Sequence, residues 1–540
     1  MGERVMNRKT TLIILAIIIA LQCGAMFYWA SHKAYYYIDE LFTFEYVQNI
    51  NNHTDSIEYM DDSSLWKVED WLSVGDLKTR YSLEDGESVF DLPASLTVKK
   101  LVLDRNYMWM INALETAIGE YVSPMWICIC FNILVWIVFQ IVLFIFLTKC
   151  LGTDRRTSLL STALWGFCPL VLGLSVYCRF YSWTLLLFLV VLVLHRLMWD
   201  GESHKKNILY EIAAIALMYL AFMNSELLFV IGGSLVFFFT VGLIVRKRYW
   251  QSLYYAAPFI GGGLFFIWKR SSLLHVVLHP AQFAAKGSGA ASLHASYLLD
   301  SSLLEKAVSL LHSVKAFAEY VPGSVVLAII ALLLGLLLYL SVRKKASGLL
   351  DGFSLILLAS AVVFWLFCGL CGLNSTRYLS FLFLLVFIFL TVVFDKMARS
   401  YKAPRLVFKV ACCLVLISSV LPFYKRDVQY VYEWLKPSLA RVSEYRNLDA
   451  IVNYDPVHNY NAYYSTSLLS PSSSIYPISQ TPSGGELPDL PEAFLYWATY
   501  YWSPVEVLDM IKERGYSVEL LYDAELALVY YCQKDDRVEE

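Results

Sequence analysis

Residues 35–47, "YYYIDELFTFEYV", follow directly on the first long apolar run of the chain and place two adjacent carboxylates, Asp39 and Glu40, just beyond it. The tyrosines before the acids have the amphipathic rings that are typical of the membrane–water interface. Side chains at adjacent positions point in different directions, so one acid can face a cavity while the other binds backbone amides or a cation. The stretch therefore raises the question of an acidic site at a membrane surface.

The composition is that of a polytopic membrane protein. Of the 540 residues, 58% are hydrophobic and only 16% are charged, and the mean hydropathy is +0.53; a soluble chain carries about 25% charged residues. The net charge of −3 and the pI of about 6.3 give no indication of nucleic-acid binding. The eleven cysteines show neither a zinc spacing nor a disulfide framework. We interpret them as small buried hydrophobes, and Cys368 and Cys371 are the one pair that merits closer inspection.

About eleven runs are apolar enough to span a bilayer, which takes about 20 residues in a helix. The first run has a basic start and no small-residue cleavage site, so we interpret it as a retained span and not as a removed signal peptide. The predicted spans lie near residues 11–30, 124–147, 158–176, 180–198, 208–223, 227–245, 252–268, 323–341, 350–370, 378–394 and 406–424.

The loops predict the orientation of these spans. Lysine and arginine clusters precede the first span and follow the second, fourth, sixth, eighth and tenth. The positive-inside rule makes these alternate loops cytoplasmic. We therefore predict a multi-pass protein with a cytoplasmic N-terminus and, because the number of spans is odd, an extracytoplasmic C-terminal tail. A bacterial plasma membrane is the simplest host, although an endoplasmic reticulum enzyme would have the same topology.

Two domains are predicted from the distribution of polar sequence. Residues 1–424 form a transmembrane domain with a long first extracytoplasmic loop, 31–123, that contains interfacial helices, and with a mobile extracytoplasmic loop at 269–322. Residues 425–540 form a small extracytoplasmic α/β domain.

Within this C-terminal domain, "LDAIVNYD" and "YSVELLYD…ALVYYC" predict strands, whereas residues 470–490 are predicted to form a Pro/Ser/Gly-rich loop. The stretch "SPVEVLDMIKERG" predicts a helix. Ser503 is its expected N-cap, Pro504 its first residue, Glu506 the acid of a capping box and Gly515 its stop signal.

Polar residues recur at the predicted outer ends of spans. The stretches are "SVYCRFYSW" (175–183), "FMNSELL" (222–228) and "NSTRYLSFL" (374–382), and the side chains expected to line a cavity or bind an anion are Arg179, Tyr181, Asn224, Glu226, Arg377 and Tyr378. Ionisable groups at membrane depth are costly and usually face a cavity or a partner. Acids and arginines on one side and near one depth predict an outward-facing site for a ligand that is anionic and partly lipidic.

The Asp–Glu pair after the first span resembles the motif that opens the first outer loop of GT-C fold glycosyltransferases. The resemblance is to the branch that includes protein O-mannosyltransferases and bacterial aminoarabinose transferases. Further stretches are similar and occur in the same order: "LDRNYMWMINALETAIGEYVSPMWICICFNILVW", "GFCPLVLGLSVYCRFYSWTLLLFLV" and "RYLSFLFLLVFIFL". The resemblance covers roughly residues 8–395. It departs at "DRNYMWM", where many relatives have a His-Pro-Pro-Leu-Tyr-Tyr type stretch, so the acceptor side and a ligand role for Asp104 are left open.

The resemblance implies an all-α polytopic membrane fold and an inverting glycosyltransferase. Its donor would be a sugar on a polyprenyl phosphate, and its acceptor the hydroxyl of a lipid, glycan or protein. It implies that Asp39 is the base that takes the proton of the acceptor hydroxyl, and that Glu40 orients Asp39 or helps to hold a cation. The donor phosphate would be bound by basic side chains, for which the sequence offers Arg179, Arg377, Lys269 and Arg270. A divalent cation, Mg²⁺ or Mn²⁺, would be held by Asp39 or Glu40 if the enzyme uses one.

Other interpretations are open for the same residues. Acids after a span often only keep a loop hydrated, arginines at helix ends can extend to the interface, and Asn224 and Glu226 can satisfy the backbone of a turn. His275 and His279 have a spacing that allows metal binding on a helix. At the level of the whole chain, the alternative is a transporter or flippase of a lipid-linked sugar, although such proteins usually place their charges near the midplane. A glycan polymerase or ligase of another fold and a non-catalytic receptor fit the pattern less well.

Overall fold

The structure is a computed structural model. It describes residues 7–48, 69–79, 83, 88–91, 106–201, 204–225, 227–269, 296–321, 351–400, 405–425, 428–454, 460–478, 487–499, 504–524 and 527–535. Two of the segments discussed above, the stretch around His275 and His279 and the span at 323–341, lie outside these residues.

Long apolar helices make up most of the described chain. In chain order the helices are α1 (Arg8–His32), α2 (Ile38–Gln48), α3 (Val74–Lys78), α4 (Asn106–Ile118), α5 (Pro124–Ile145), α6 (Arg155–Phe167), α7 (Pro169–Val176), α8 (Tyr181–Asp200), α9 (His204–Asn224), α10 (Leu227–Val245), α11 (Tyr249–Lys269), α12 (Leu303–Tyr320), α13 (Gly352–Leu370), α14 (Thr376–Ser400), α15 (Arg405–Lys425), α16 (Lys436–Glu444), α17 (Tyr460–Leu468) and α18 (Val505–Glu513). The helix α5 continues as a π-helical turn, Phe146–Cys150.

Within the described residues, seven helices are long and apolar enough to cross a membrane: α1, α5, α8, α9, α10, α13 and α14. The bent pair α6 and α7 would make an eighth. The predicted spans at 252–268 and 406–424 are the helices α11 and α15. The helical segments therefore follow the hydrophobic runs of the sequence, and the protein is a multi-pass membrane protein.

The predicted third span, 158–176, is broken. Its two halves, α6 and α7, meet at an angle of 52°. Cys168 between them has an extended backbone, with φ −70° and ψ 149°, and Pro169 opens α7. A residue before proline is disfavoured in the helical conformation, because the proline ring clashes with its backbone. The break was readable in the sequence, but hydropathy alone does not report it.

The segment 269–322, which we predicted to be a mobile loop, contains the helix α12. Ser302 caps this helix by accepting from the Glu305 N–H (3.2 Å), and the Glu305 carboxylate accepts from the Ser302 N–H (2.6 Å). This reciprocal pair is a capping box, which satisfies two amide groups at the helix start. The prediction of a mobile loop is therefore wrong for residues 303–320.

Contacts divide the chain into two compact units. One consists of residues 1–31, 99–107 and 128–429 and contains most of the long apolar helices; the other consists of residues 32–98, 108–127 and 430–540. The second unit thus combines the first predicted extracytoplasmic loop with the C-terminal segment, whereas the sequence analysis assigned that loop to the transmembrane domain. We refer to them as the helical unit and the mixed unit.

The mixed unit contains a six-stranded sheet. Its strands are β1 (Leu72–Ser73), β2 (Ala450–Asn453), β3 (Ser474–Ile478), β4 (Ala493–Thr499), β5 (Tyr516–Ala524) and β6 (Ala527–Lys534). Their order is β1-β3-β2-β4-β6-β5. The strands β3, β2 and β4 are parallel, and the remaining pairs are antiparallel. The small α/β fold expected for the C-terminal segment is therefore present, with one short edge strand supplied by the first loop.

Three strands, β1, β3 and β4, escaped the sequence analysis. Strand β3 lies inside the segment 470–490 that was predicted to be a loop, and β4 was not predicted. Pro477 lies near the end of β3, beyond the two residues, Ser474 and Ile475, that pair with the edge strand β1. A proline is tolerated at such a position because no neighbour needs its missing N–H. The serines and proline of this segment therefore mark a short strand near an edge of the sheet.

The helix α18 packs on this sheet, and Val507, Leu508 and Ile511 join Phe494 and Tyr496 in its hydrophobic core. The helix begins at Val505, one residue later than predicted, with Pro504 at the cap position; Ser503 lies outside the described residues. Gly515 follows its last turn at φ +82°. A left-handed residue is a common helix terminator, and glycine adopts it without strain. The stop signal was therefore predicted correctly.

Candidate active site

The two carboxylates of the opening motif lie in the first turn of α2. The Glu40 N–H donates to the Tyr37 carbonyl oxygen (2.8 Å), and the Tyr37 N–H donates to Glu40 Oε2 (2.8 Å). An acid that reaches back from the third helical position to the cap residue is the carboxylate half of a capping box. The Glu40 side chain therefore defines where α2 begins.

Glu40 is fully buried and paired with a lysine. Its Oε2 lies 3.0 Å from Lys33 Nζ, and both side chains have no exposed surface. The same ammonium group donates to the Tyr430 carbonyl oxygen (2.5 Å) and lies 5.8 Å from the ring centroids of Tyr36 and Tyr432. The sequence analysis expected one of the two acids to bind backbone amides or a cation. In the structure, Glu40 binds the Tyr37 amide and the ammonium group of Lys33.

Asp39 differs from its neighbour in exposure. Its side chain is on the same first turn, but the residue is only half-buried. Its carbonyl oxygen accepts from the Thr43 hydroxyl (3.0 Å), as expected within a helix. Of the two acids, Asp39 is therefore the one that a substrate can approach.

A divalent cation does not fit Glu40. Its Oε2 already accepts from the Lys33 ammonium and from the Tyr37 amide, so a metal ion would have to displace a buried positive charge. Among the described residues, no group of three or more His, Cys, Asp or Glu side chains could hold a metal ion.

The far end of α2 is held by α4. The Asn112 side chain donates to the Val47 carbonyl oxygen (2.6 Å), and Gln48 Nε2 donates to Glu115 Oε1. Burial raises the pKa of the Glu115 carboxyl, and the hydrogen bond from Gln48 opposes this effect. The sequence analysis did not single out Glu115, although an acid on the apolar helix "NYMWMINALETAI" was a signal.

In the helical unit, Arg377 is the centre of a second polar group. It is only 9% exposed, and it donates from Nη1 to the Tyr177 hydroxyl (2.7 Å) and from Nη2 to the Tyr378 hydroxyl (3.2 Å). Its guanidinium carbon also lies 4.9 Å from the centroid of the Tyr378 ring. A buried guanidinium group that is oriented by two hydroxyls is a fixed positive charge with a planar donor set, which suits phosphate oxygens.

Aromatic rings lie next to this arginine. Tyr177 stacks on Tyr181 with ring centroids 5.8 Å apart, and Tyr181 contacts Tyr378 at 6.3 Å. Arg179, between the two stacked tyrosines in sequence, lies 5.0 Å from the ring of Phe180. We call Tyr177, Arg179, Tyr181, Arg377 and Tyr378 the arginine–tyrosine cluster. The helices that begin here, α8 and α14, are the most buried of the candidate spans.

A network of amide side chains adjoins the cluster. Asn132 donates to the Tyr177 carbonyl oxygen (2.8 Å) and accepts from the Tyr107 hydroxyl (3.3 Å). Asn106 Oδ1 accepts from Asn224 (2.9 Å) and from the Trp183 ring nitrogen (2.7 Å). The network joins the starts of α4 and α8, the third turn of α5 and the end of α9.

Several predicted site residues are thus brought together, and others are not described. Within the helical unit, Arg179, Tyr181, Arg377 and Tyr378 form one cluster, and Asn224 belongs to the adjoining network. Glu226, Asp104 and Arg270 lie outside the described residues, as does the side chain of Lys269, the last residue of α11. The sequence analysis missed Tyr177, Asn106, Tyr107, Asn132 and Trp183. Asn132 was detectable, because an amide inside the apolar run "CICFNILVW" is costly unless it is bonded.

An apolar groove lies among α9, α10 and α11 in the same unit and has a volume of about 380 Å³. Its walls are aromatic and aliphatic, and glycines form part of its floor; the lining residues include Phe222, Phe229, Phe259, Gly232, Gly233 and Gly262. A Cβ atom added at Gly233 or Gly262 would have nothing within 4 Å. The groove is therefore open over these two glycines.

The thiols show no covalent pairing. No disulfide joins any of the eleven cysteines, Cys368 and Cys371 included. Burial raises the pKa of the Cys532 thiol, on β6, to about 12, so this thiol is protonated and unreactive at neutral pH.

No protein-family model and no curated protein matches the chain. The solved structures that are similar to it include two of ArnT from Cupriavidus metallidurans. The structure in the apo state is 11% identical with a TM-score of 0.50, over 97% of this chain and 98% of the other. The structure bound to undecaprenyl phosphate is 10% identical with a TM-score of 0.49, over 96% and 97%. ArnT is an aminoarabinose transferase, and over nearly its whole length this chain has the GT-C fold of that membrane enzyme.

Proposed function

We propose that the protein is an inverting glycosyltransferase that moves a sugar from a polyprenyl-phosphate donor to a hydroxyl acceptor at the extracytoplasmic face of the membrane. The exposure of Asp39 carries the proposal. It is a half-buried carboxylate at the start of α2, beside a second acid that is fully neutralised by Lys33. The chain therefore offers one carboxylate, and not a pair, for chemistry at this position.

In the proposed reaction, Asp39 accepts the proton of the acceptor hydroxyl as its oxygen bonds to the anomeric carbon. The bond between that carbon and the phosphate oxygen breaks at the same time, and the polyprenyl phosphate leaves with the electron pair. A phosphate is a competent leaving group, so no strong general acid is required. A single displacement with the base and the leaving group on opposite faces of the ring inverts the anomeric centre.

Charge on the leaving phosphate must be neutralised, and we assign this role to Arg377 with Arg179. The two hydroxyl groups on Arg377 orient its guanidinium group before a donor arrives, which lowers the cost of ordering it. The sequence pattern predicts Arg179 as a second residue that contacts the phosphate. Lys269 and Arg270 stay predictions for the same role.

The apolar groove among α9, α10 and α11 is our candidate for the site that holds the prenyl chain. Its aromatic walls and its open glycine floor suit a methyl-branched hydrocarbon. A structure of ArnT contains undecaprenyl phosphate, so a polyprenyl phosphate is the lipid to be tested first. The acceptor classes stay open between lipid, glycan and protein.

The test reconstitutes the purified protein in liposomes with a panel of polyprenyl-phosphate sugars and follows the release of free polyprenyl phosphate. The native protein is expected to turn over one donor, and Asp39→Asn to lose at least about 10²-fold in kcat, because general-base catalysis contributes about 10²–10⁴-fold. The matched control is Glu506→Gln, an exposed acid in the first turn of another helix of the same unit.

Each outcome has a distinct meaning. Equal turnover by the native protein and Asp39→Asn would exclude Asp39 as the base. If no donor is consumed while a labelled lipid-linked sugar crosses the bilayer, the protein is a transporter and the proposal is wrong.

A further inference from the structure

The Lys33–Glu40 pair joins distant parts of the mixed unit. Lys33 Nζ bonds to Glu40 Oε2 (3.0 Å) and to the carbonyl oxygen of Tyr430 (2.5 Å), which is 397 residues away in the chain. The following residue repeats the connection, because the Ala34 N–H donates to the Val431 carbonyl oxygen (2.7 Å). The segment that leads into α2 is therefore tied to the start of the C-terminal segment by a side-chain bond and a backbone bond.

The C-terminal side of this tie has an unusual backbone. Tyr430 and Tyr432 both adopt left-handed conformations, with φ 65° and φ 56°. Residues other than glycine rarely adopt such φ values. These conformations persist where contacts with the surrounding structure stabilise them. The conformation is accompanied by a bond from the Tyr430 carbonyl to Lys33 and by contact of the Tyr432 ring with the same ammonium.

Glu40 completes the arrangement on the side of α2. It bonds to the Tyr37 amide at the start of the helix, so any displacement of its carboxylate shifts the first helical turn. Asp39 is in that turn, one residue away. The position of the Asp39 carboxylate thus depends on the series of hydrogen bonds that links Tyr430, Lys33, Glu40 and Tyr37.

We infer that Lys33 is a positioning residue for Asp39, and that Glu40 acts through Lys33 and the helix start and touches neither substrate nor cation. The inference rests on the proposed function in assigning the base role to Asp39. The C-terminal segment then helps to position Asp39, because the Tyr430 carbonyl oxygen accepts a hydrogen bond from Lys33. The Asp–Glu motif then consists of one reacting acid and one structural acid.

A double-mutant cycle tests the inference. The variants are Lys33→Met, Glu40→Gln and the double variant, and the readouts are kcat and the donor KM in the liposome assay. Each single variant leaves a buried charge or a buried polar group without its partner, whereas the double variant removes both charges. We expect kcat to fall about 10²-fold in each single variant, as for a displaced catalytic group, with the donor KM unchanged. The double variant should recover to within about tenfold of the native kcat.

The matched control is the pair Arg441–Glu519 in the same unit, whose side chains are 49% and 58% exposed. Arg441→Met, Glu519→Gln and their double variant should leave kcat unchanged, because an exposed ion pair contributes little. The pH profile gives a further readout. If Asp39 is the titrating base, the acidic limb of the kcat profile should stay in place in the Lys33→Met/Glu40→Gln variant.

The outcomes show whether Glu40 is a structural acid or one that reacts like Asp39. If Glu40→Gln and the double variant are equally inactive while Lys33→Met is close to native, Glu40 acts on the substrate or a cation and the inference is wrong. If all three variants are close to native, the pair does not position Asp39 and the inference is also wrong.

A second readout distinguishes this failure from failure of the proposed function. Thermal unfolding of the same variants needs no donor. The pairing predicts a lower Tm for each single variant and a partial recovery in the double variant, even if the native protein transfers no sugar. Additive losses of Tm would show that the two side chains are not coupled.

Discussion

Replacing Arg377 by lysine should weaken the use of the donor without affecting the acceptor. The native guanidinium group donates to two phenols at once, Tyr177 at 2.7 Å and Tyr378 at 3.2 Å. A lysine keeps the positive charge, but its compact ammonium cannot reproduce the planar arrangement of donors. The variant therefore tests the geometry of the positive charge separately from its sign.

The expected loss follows from the number of bonds. We assume that the ammonium makes one hydrogen bond fewer to the donor phosphate than the planar guanidinium group does. A hydrogen bond to a charged group contributes about 1.5–3 kcal/mol, so the loss of one corresponds to about 2 kcal/mol. Because about 1.36 kcal/mol changes a rate tenfold, kcat/KM for the donor should fall about 30-fold.

The assay is steady-state release of polyprenyl phosphate in liposomes at varied donor concentration, with the acceptor KM measured in parallel. Arg399→Lys is the matched control, since Arg399 is on the same helix, α14, but 53% of its side chain is exposed. A fall of less than threefold for Arg377→Lys would refute the phosphate-binding role. An equal fall for Arg399→Lys would point to a general effect on the helix.

Two further predictions concern the groove and a buried acid. Gly233→Leu and Gly262→Leu should each raise the donor KM at least about tenfold with little change in Tm, because the added side chains enter the open groove and compete with the prenyl chain. For Glu115, burial raises the folded-state pKa. Its contribution to stability is then present in full below the unfolded pKa, about 4.3, and is lost as pH rises through the higher folded value. Glu115→Gln should therefore flatten this decline of Tm with pH.

The prediction for the groove and the prediction for Glu115 each have a separate control. Gly24→Leu introduces the same side chain on α1, where an added Cβ also meets nothing within 4 Å, and should leave the donor KM unchanged. A similar KM for all three glycine variants and the native protein would exclude the groove as the prenyl site. For Glu115, Tm is measured for both proteins from about pH 4 to pH 8, and parallel curves would contradict the role of this acid.

Much of the fold could be predicted from the sequence because a membrane span is a local structure. A run of about 20 apolar residues satisfies its own backbone and needs no partner to be recognised. The long helices accordingly follow the hydrophobic runs. The same local character explains why Gly515 was recognised as a helix stop, since its left-handed backbone depends on a single residue.

The sequence was less informative where local signals compete. The capping box of α12 was present in the residues Ser302 and Glu305, but the Gly/Ala/Ser stretch before it favoured a loop. The strand β3 contains a proline and a serine, which are typical of turns, and it forms because β2 pairs with four of its five residues. Strand pairing at such sequence separation is a tertiary property.

The candidate site shows the same division. The sequence alone determined that Asp39 and Glu40 follow a membrane span and that arginines and tyrosines occur at span ends. Only the tertiary structure decided that Glu40 is neutralised by Lys33 and that Arg377 bonds to Tyr177, 200 residues earlier in the chain. The physical reason is that apolar runs fold through bonds within themselves, whereas a buried charge acquires its role from whichever partner the fold brings to it.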